Sequence, residues 1–188
     1  MRPVEDPVAG LVLGHGAAGG VGTADLGAAS EVANRTRISV ALVEQPYVVA
    51  GRRSPAPARQ LDAAWTAVVE QLRGDAFDGL PLIVGGRSAG ARVACRTASE
   101  VGAVAVVCLA FPVHPPGKGD DPTKSRLPEL DAVEVPVLVV QGESDPFGMP
   151  VDGPGRTVVR VPGNHSLRDA TAVAAAVSEW LPGVVPGL

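Results

Sequence analysis

Gly86-Arg87-Ser88-Ala89-Gly90 follows directly on the apolar run Leu80-Pro81-Leu82-Ile83-Val84-Gly85. It precedes Ala91-Arg92-Val93-Ala94-Cys95-Arg96-Thr97-Ala98, a stretch compatible with a helix. The order is strand, tight turn, helix, with a serine at the apex. A turn this sharp brings backbone segments so close that a Cβ two residues before or after the serine would clash, which is the steric reason for glycine at both places. The pattern predicts a strained Ser88 whose hydroxyl stands exposed at the edge of a sheet. In a chain with 23 glycines the Gly-x-Ser-x-Gly string alone carries little. Its flanks give it weight.

Two segments further along supply the groups such a serine needs. Val135-Pro136-Val137-Leu138-Val139-Val140-Gln141-Gly142 reads as a buried strand and runs into Glu143-Ser144-Asp145-Pro146-Phe147. Asp145, just past the strand and before a proline, is the preferred carboxylate; Glu143 competes with it and Asp152 is the fallback. Thr157-Val158-Val159-Arg160-Val161 reads as the next strand, and Pro162-Gly163-Asn164-His165-Ser166 puts a histidine on the loop after it. The chemistry explains the cast. A hydroxyl is a poor nucleophile until an imidazole takes its proton, and the imidazole needs a carboxylate to fix its tautomer and stabilise the imidazolium. The first apolar run, Val8 to Leu13, leads into Gly14-His15-Gly16-Ala17-Ala18-Gly19-Gly20. The backbone N–H of Ala17, together with that of Ala89, is the candidate pair of oxyanion donors. A phosphate loop is the competing reading, since Gly14, Gly16 and Gly19 have the G-x-G-x-x-G spacing, but no Lys-Ser/Thr pair follows.

Six short apolar runs read as strands, around 8–13, 38–43, 80–85, 103–109, 135–141 and 156–161. Several are continuous rather than alternating, as in parallel strands covered on both faces. Helical patterns lie between them. Thr23 caps a helix to about Ala33; Leu61, Trp65, Val68 and Leu72 stripe a helix over 58–73; Leu167, Ala170, Val173, Ala174, Val177, Trp180 and Leu181 stripe the last. Ser166 and Asp169 resemble a capping box for that helix, and Pro182-Gly183 ends it. Strands alternating with helices predict a doubly wound, mostly parallel α/β sheet over a single domain, residues 1–188. The loops Gln45–Pro57 and Phe111–Pro128 follow strands and are expected to wall an open site at the carboxyl edge. Neither is long enough to fold as a cap.

Composition sets the outer bounds. The 188 residues are 46% hydrophobic, with a net charge of −4, which argues against a nucleic-acid footprint. Cys95 and Cys108 read as small buried hydrophobes. No His/Cys/Asp/Glu cluster has metal-ligand spacing, so neither metal nor cofactor is expected. No apolar run suggests a membrane span, and the polar residues 1–7 are too short for a signal peptide, so the cytoplasm is the expected compartment. His15 is read as structuring its loop, His114 as structural or substrate-facing. Glu44 and Arg87 are read as ion-pair formers, with Arg52, Arg53 and Arg87 as partners for Glu44.

Taken together, Leu13-Gly14-His15-Gly16-Ala17, Glu44-Gln45-Pro46-Tyr47, Gly85 to Gly90, Phe111-Pro112-Val113-His114-Pro115-Pro116-Gly117, Gln141-Gly142 with Asp145-Pro146-Phe147-Gly148, and Asn164-His165-Ser166-Leu167 resemble a small α/β-hydrolase of the dienelactone-hydrolase-like type. The resemblance is to the compact branch that includes the testis-expressed-protein-30-like hydrolases and the KAT8 regulatory complex subunit 3 hydrolase-like domain. It implies a minimal α/β-hydrolase fold without a cap, a Ser88–Asp145–His165 triad and hydrolysis of a small acyl substrate. Ester, thioester and amide are not separated, and a binding or scaffolding protein on the same fold is the alternative. Relatives carry one or two extra strands before the first strand seen here. From that departure one sheet edge is expected to be shorter, or covered by a partner that could be a second copy of the chain.

Overall fold

Burial of the apolar runs on both faces determines the architecture. In a computed structural model of the chain, residues 1–17, 19–52 and 54–185 are described. Six strands form one sheet: β1 (Ala9–Gly14), β2 (Ile38–Val43), β3 (Leu82–Arg87), β4 (Ala105–Leu109), β5 (Val137–Gly142) and β6 (Arg156–Val161). Their order is β2-β1-β3-β4-β5-β6, and every pairing is parallel. Leu11, Leu13, Ile83, Val107, Leu109, Leu138 and Val140 point to one face, while Val12, Leu82, Val84, Val106, Cys108, Val137 and Val139 point to the other. Both sets are buried, which is why the strands read as unbroken apolar runs.

Helices cover both faces. They are α1 (Ala24–Arg35), the single turn α2 (Pro46–Val49), α3 (Ala58–Arg73), α4 (Ala89–Thr97), the short α5 (Leu127–Asp131) and α6 (Ala170–Trp180). α1 and α6 pack together on the first face, and α3, α4 and α5 on the second. The stripe on α3 is Leu61, Trp65 and Val69 rather than Val68, which is 37% exposed. The start of α6 also departs from the expected one. Its N-cap is Asp169, whose carboxylate accepts from the Ala172 N–H at 3.0 Å. Leu167 is fully buried, but at φ 41° it lies outside the helix. Among the described residues the two long loops hold α2, a 3-10 turn, Pro122–Lys124, and the first two residues of α5.

The strand order reverses between β1 and β3: β1 leads outward to β2, and β3 leads the other way through β4, β5 and β6. Loops leaving these two strands diverge and open a crevice, the usual ligand position in such sheets. The register puts the carboxyl ends level, with Gly14 opposite Gly86, Arg87 opposite Leu109, and Gly142 opposite Val161. At the β2 edge the chain's own N-terminus pairs with the strand. Arg2 N–H donates to Val40 at 2.7 Å, and Val40 N–H donates back at 3.0 Å. Among the described residues no helix is long and apolar enough to cross a membrane.

Candidate active site

β3 ends in the sharp turn expected from its glycines. Ser88 sits at φ 51°, ψ −107°, a conformation that costs an L-residue about 1–3 kcal/mol. A Cβ on Gly90 would run into the Gly14 carbonyl at the end of β1, so only glycine lets α4 start this close to the sheet. The turn aims the Ser88 hydroxyl over the carboxyl edge.

His165 has to arrive from β6, three strands away, a gap of roughly 14 Å at the usual interstrand spacing. The loops after β5 and β6 bridge it together. Glu143 N–H donates to the Val161 carbonyl at 2.9 Å, and Ser144 donates to the Gly163 carbonyl through its N–H (2.9 Å) and its hydroxyl (2.8 Å). A Cβ on Gly142 would overlap the Asn164 carbonyl, so the glycine that ends β5 lets the histidine loop lie against it. Arg87 Nη2 holds the far side by donating to the His165 carbonyl at 2.9 Å.

These loops bring the three side chains into one line. His165 Nε2 lies 2.9 Å from Ser88 Oγ, and His165 Nδ1 lies 2.8 Å from Asp145 Oδ2. A carboxylate oxygen only accepts, so Nδ1 carries the ring proton and Nε2 is left to accept from the serine. The Asp145 side chain is fully buried and that of His165 17% exposed. The carboxylate is held by two further donors, Phe147 N–H to Oδ1 (2.8 Å) and Gln141 Nε2 to Oδ2 (2.9 Å). The Phe147 ring leans on the imidazole, centroids 4.3 Å apart. Glu143 is exposed, and Asp152 is occupied elsewhere, accepting from the Val158 N–H at 2.7 Å.

The β1 loop faces Ser88 from the other side. His15 is completely buried; Nδ1 donates to the Gly16 carbonyl at 2.7 Å, and Nε2 accepts from the Gln45 N–H at 2.9 Å. The ring therefore fixes the Gly16–Ala17 peptide, whose N–H is that of Ala17. Tyr47 donates its hydroxyl to the Ala17 carbonyl at 3.1 Å, and burial pushes its phenol up, which keeps the donor protonated. Ala89 is the first residue of α4, so its N–H is one of the donors a helix leaves without an internal partner. Ala17, Ser88 and Ala89 line one cleft of about 370 Å³, walled by Pro55, Leu61 and Phe147 among others. Such a set can pass a proton from hydroxyl to imidazole and hold a negative oxygen with backbone donors.

Of the remaining sequence expectations, some hold and some do not. Arg87 is an ion-pair former, but its partner is the fully buried Asp25 on α1, Nε–Oδ2 2.9 Å. Glu44 is exposed and has no ion pair among the described residues; Arg53 lies outside them. His114 turns its Nδ1 to the Pro115 carbonyl, 2.9 Å, within its own loop. Cys95 and Cys108 are buried with their sulfurs 3.5 Å apart. Gln141, Gln45, Tyr47 and Asp25 support the site without having been assigned a role from sequence. The only signal for the first three was their place in the motifs, and Asp25 gave none.

Solved structures share this architecture. A lidless α/β serine hydrolase of Xanthomonas campestris superposes with a TM-score of 0.76 at 19% identity, covering 100% of this chain and 88% of that one. Est1E of Butyrivibrio proteoclasticus, solved with ferulic acid bound, gives 0.73 at 18% identity over 98% and 93%. A dienelactone hydrolase of Anabaena variabilis gives 0.73 at 18% over 98% and 89%. No curated protein matches the chain in sequence. A family model described as an alpha/beta hydrolase domain matches residues 7–158, and the chain belongs to that family.

Proposed function

We propose that the protein is a serine hydrolase of a small acyl compound, a carboxylic ester in the first instance, working through Ser88, His165 and Asp145. The family and the hydrolase neighbours support hydrolysis as the reaction class. The observation that carries the finer reading is the unbroken hydrogen-bonded line from Ser88 Oγ through His165 to a buried carboxylate, opening on a cleft. His165 Nε2 takes the Ser88 proton as Oγ attacks the substrate carbonyl carbon. Asp145 steadies the imidazolium that results. The N–H groups of Ala17 and Ala89 receive the developing oxyanion, each worth about 3–4 kcal/mol of transition-state stabilisation. Imidazolium then protonates the departing alkoxide, leaving Ser88 acylated. Water enters, gives its proton to His165, and releases the acid while the proton returns to Ser88. The compact branch named by the sequence motifs, a single domain and a cytoplasmic setting belong to the same reading.

Steady-state hydrolysis of short 4-nitrophenyl esters tests it. Wild-type protein is expected to turn them over, and Ser88→Ala and His165→Ala to lose at least about 10⁴-fold in kcat. Comparable turnover by folded Ser88→Ala protein refutes the mechanism.

A further inference from the structure

Three arginines line the cleft beside Ser88: Arg92, Arg96 and Arg126. The two carboxylates next to them are already engaged. Glu129 accepts from Arg92 through both oxygens, Nε–Oε2 at 2.8 Å and Nη2–Oε1, and from Arg96 Nη1 at 3.2 Å. Asp62 accepts from Arg96 through both of its oxygens, Nε–Oδ2 at 2.9 Å and Nη2–Oδ1. Three positive charges therefore meet two negative ones. Among the described residues no side chain forms an ion pair with Arg126. Its backbone is fixed, the N–H donating to the Val113 carbonyl at 2.7 Å and the carbonyl accepting from the Glu129 N–H at 3.0 Å.

An exposed arginine needs no partner, because water solvates it. A half-buried one beside two other arginines and an apolar wall is short of counter-charge. Burial pushes the Arg126 guanidinium below the usual arginine value, and Arg92 and Arg96 push the same way against Glu129. It remains charged at neutral pH, since arginine does not deprotonate in proteins. An anion in the cleft would relieve all of this at once, and a planar carboxylate matches the guanidinium fork.

Resting on the ester-hydrolase reading, we propose that the cleft takes an ester whose acyl chain ends in a carboxylate, seated on Arg126 beside Arg92 and Arg96. Ser88 is the N-cap of α4, and Arg92 and Arg96 follow four and eight residues later, so they lie roughly 6 and 12 Å along the helix from the serine. A linear six-carbon chain, with C–C bonds of about 1.5 Å in zigzag, matches the first of these rises, and an adipate ester is the probe chosen on that scale.

The test compares mono-4-nitrophenyl adipate with 4-nitrophenyl hexanoate, which differ only in carboxylate against methyl at the chain end. Wild-type protein is expected to favour the adipate ester about tenfold or more in kcat/KM, and Arg126→Leu to lower that ratio about tenfold. Arg126→Lys should restore part of it. A wild-type ratio of one or less, or a ratio unchanged in folded Arg126→Leu protein, overturns the proposal. Calorimetric titration of Ser88→Ala protein with monomethyl adipate separates the two readings. Binding that depends on Arg126, without ester turnover by the wild type, keeps the anion site and sinks the hydrolase reading. Turnover without carboxylate preference sinks the anion site alone, and neither binding nor turnover sinks both.

Discussion

Gln141 is one of three partners that hold the carboxylate of the candidate site. Its amide nitrogen lies 2.9 Å from Asp145 Oδ2, 3.0 Å from the Phe111 carbonyl and 2.9 Å from the Gly148 carbonyl, and its two N–H groups are shared among these three acceptors, so one side chain ties the loops after β4 and β5 to the carboxylate. Removing it leaves Asp145 with Phe147 N–H and His165 as its remaining donors and strips two carbonyls of a partner. Gln141→Leu is expected to lower kcat roughly tenfold with little change in KM, and to lose about 1–3 kcal/mol of stability. Kinetics and urea melts read the two effects separately; a variant as active and as stable as wild type would remove Gln141 from the site. The convergence of Ser88, Asp145 and His165 was legible in sequence because each stands at a fixed place just beyond an apolar strand. Gln141 was visible only as part of a motif, since a glutamine ending a buried strand has no periodicity that reveals its partners. Arg126 was hidden for a related reason: that it has no ion pair among the described residues appears only when Asp62 and Glu129, distant in sequence, are seen paired with Arg92 and Arg96.

At the level of elements, the six strands and the major helices were legible because apolar continuity and stripes report burial directly. Boundaries were not always legible. Leu167 is buried like a helix residue, yet it sits in the loop that carries His165, and the helix begins only after Asp169. Periodicity says which side chains face the core; it does not say whether the backbone between them is helical. The distinction can be measured. Asp169→Ala removes a side-chain cap and is expected to cost about 1 kcal/mol, whereas Ser166→Ala should lie within about 0.5 kcal/mol of wild type. Equal costs for the two would restore the longer helix. Val68 and Val69 teach the same point on α3, where the stripe with spacing four, Leu61, Trp65 and Val69, takes the core and leaves Val68 outside.

Across the whole molecule, parallel strands of level length explain why groups from the loops after β1, β3, β5 and β6 share one rim. Arg87 locks that convergence. It leaves β3 beside Ser88, pairs with the buried Asp25 of α1, and holds the His165 carbonyl. Arg87→Met would strand a buried carboxylate and free the histidine loop. It is expected to cost about 3–5 kcal/mol by denaturant unfolding, and a cost under about 1 kcal/mol would show that the pair does not brace the fold. The composition of the chain could not give this contact, because Asp25 lies at the start of a helix with no motif to mark it. The edge expected from sequence to be shorter or covered is partly closed by Arg2 on Val40, so any second copy docking there would meet an occupied strand. The central claim is a nucleophilic Ser88 driven by His165, and a fluorophosphonate probe with intact-protein and peptide mass spectrometry tests it most directly. One adduct per chain on the peptide containing Ser88, lost in both Ser88→Ala and His165→Ala proteins, is the expected result; an unlabelled wild-type protein, or an adduct on another residue, would contradict it.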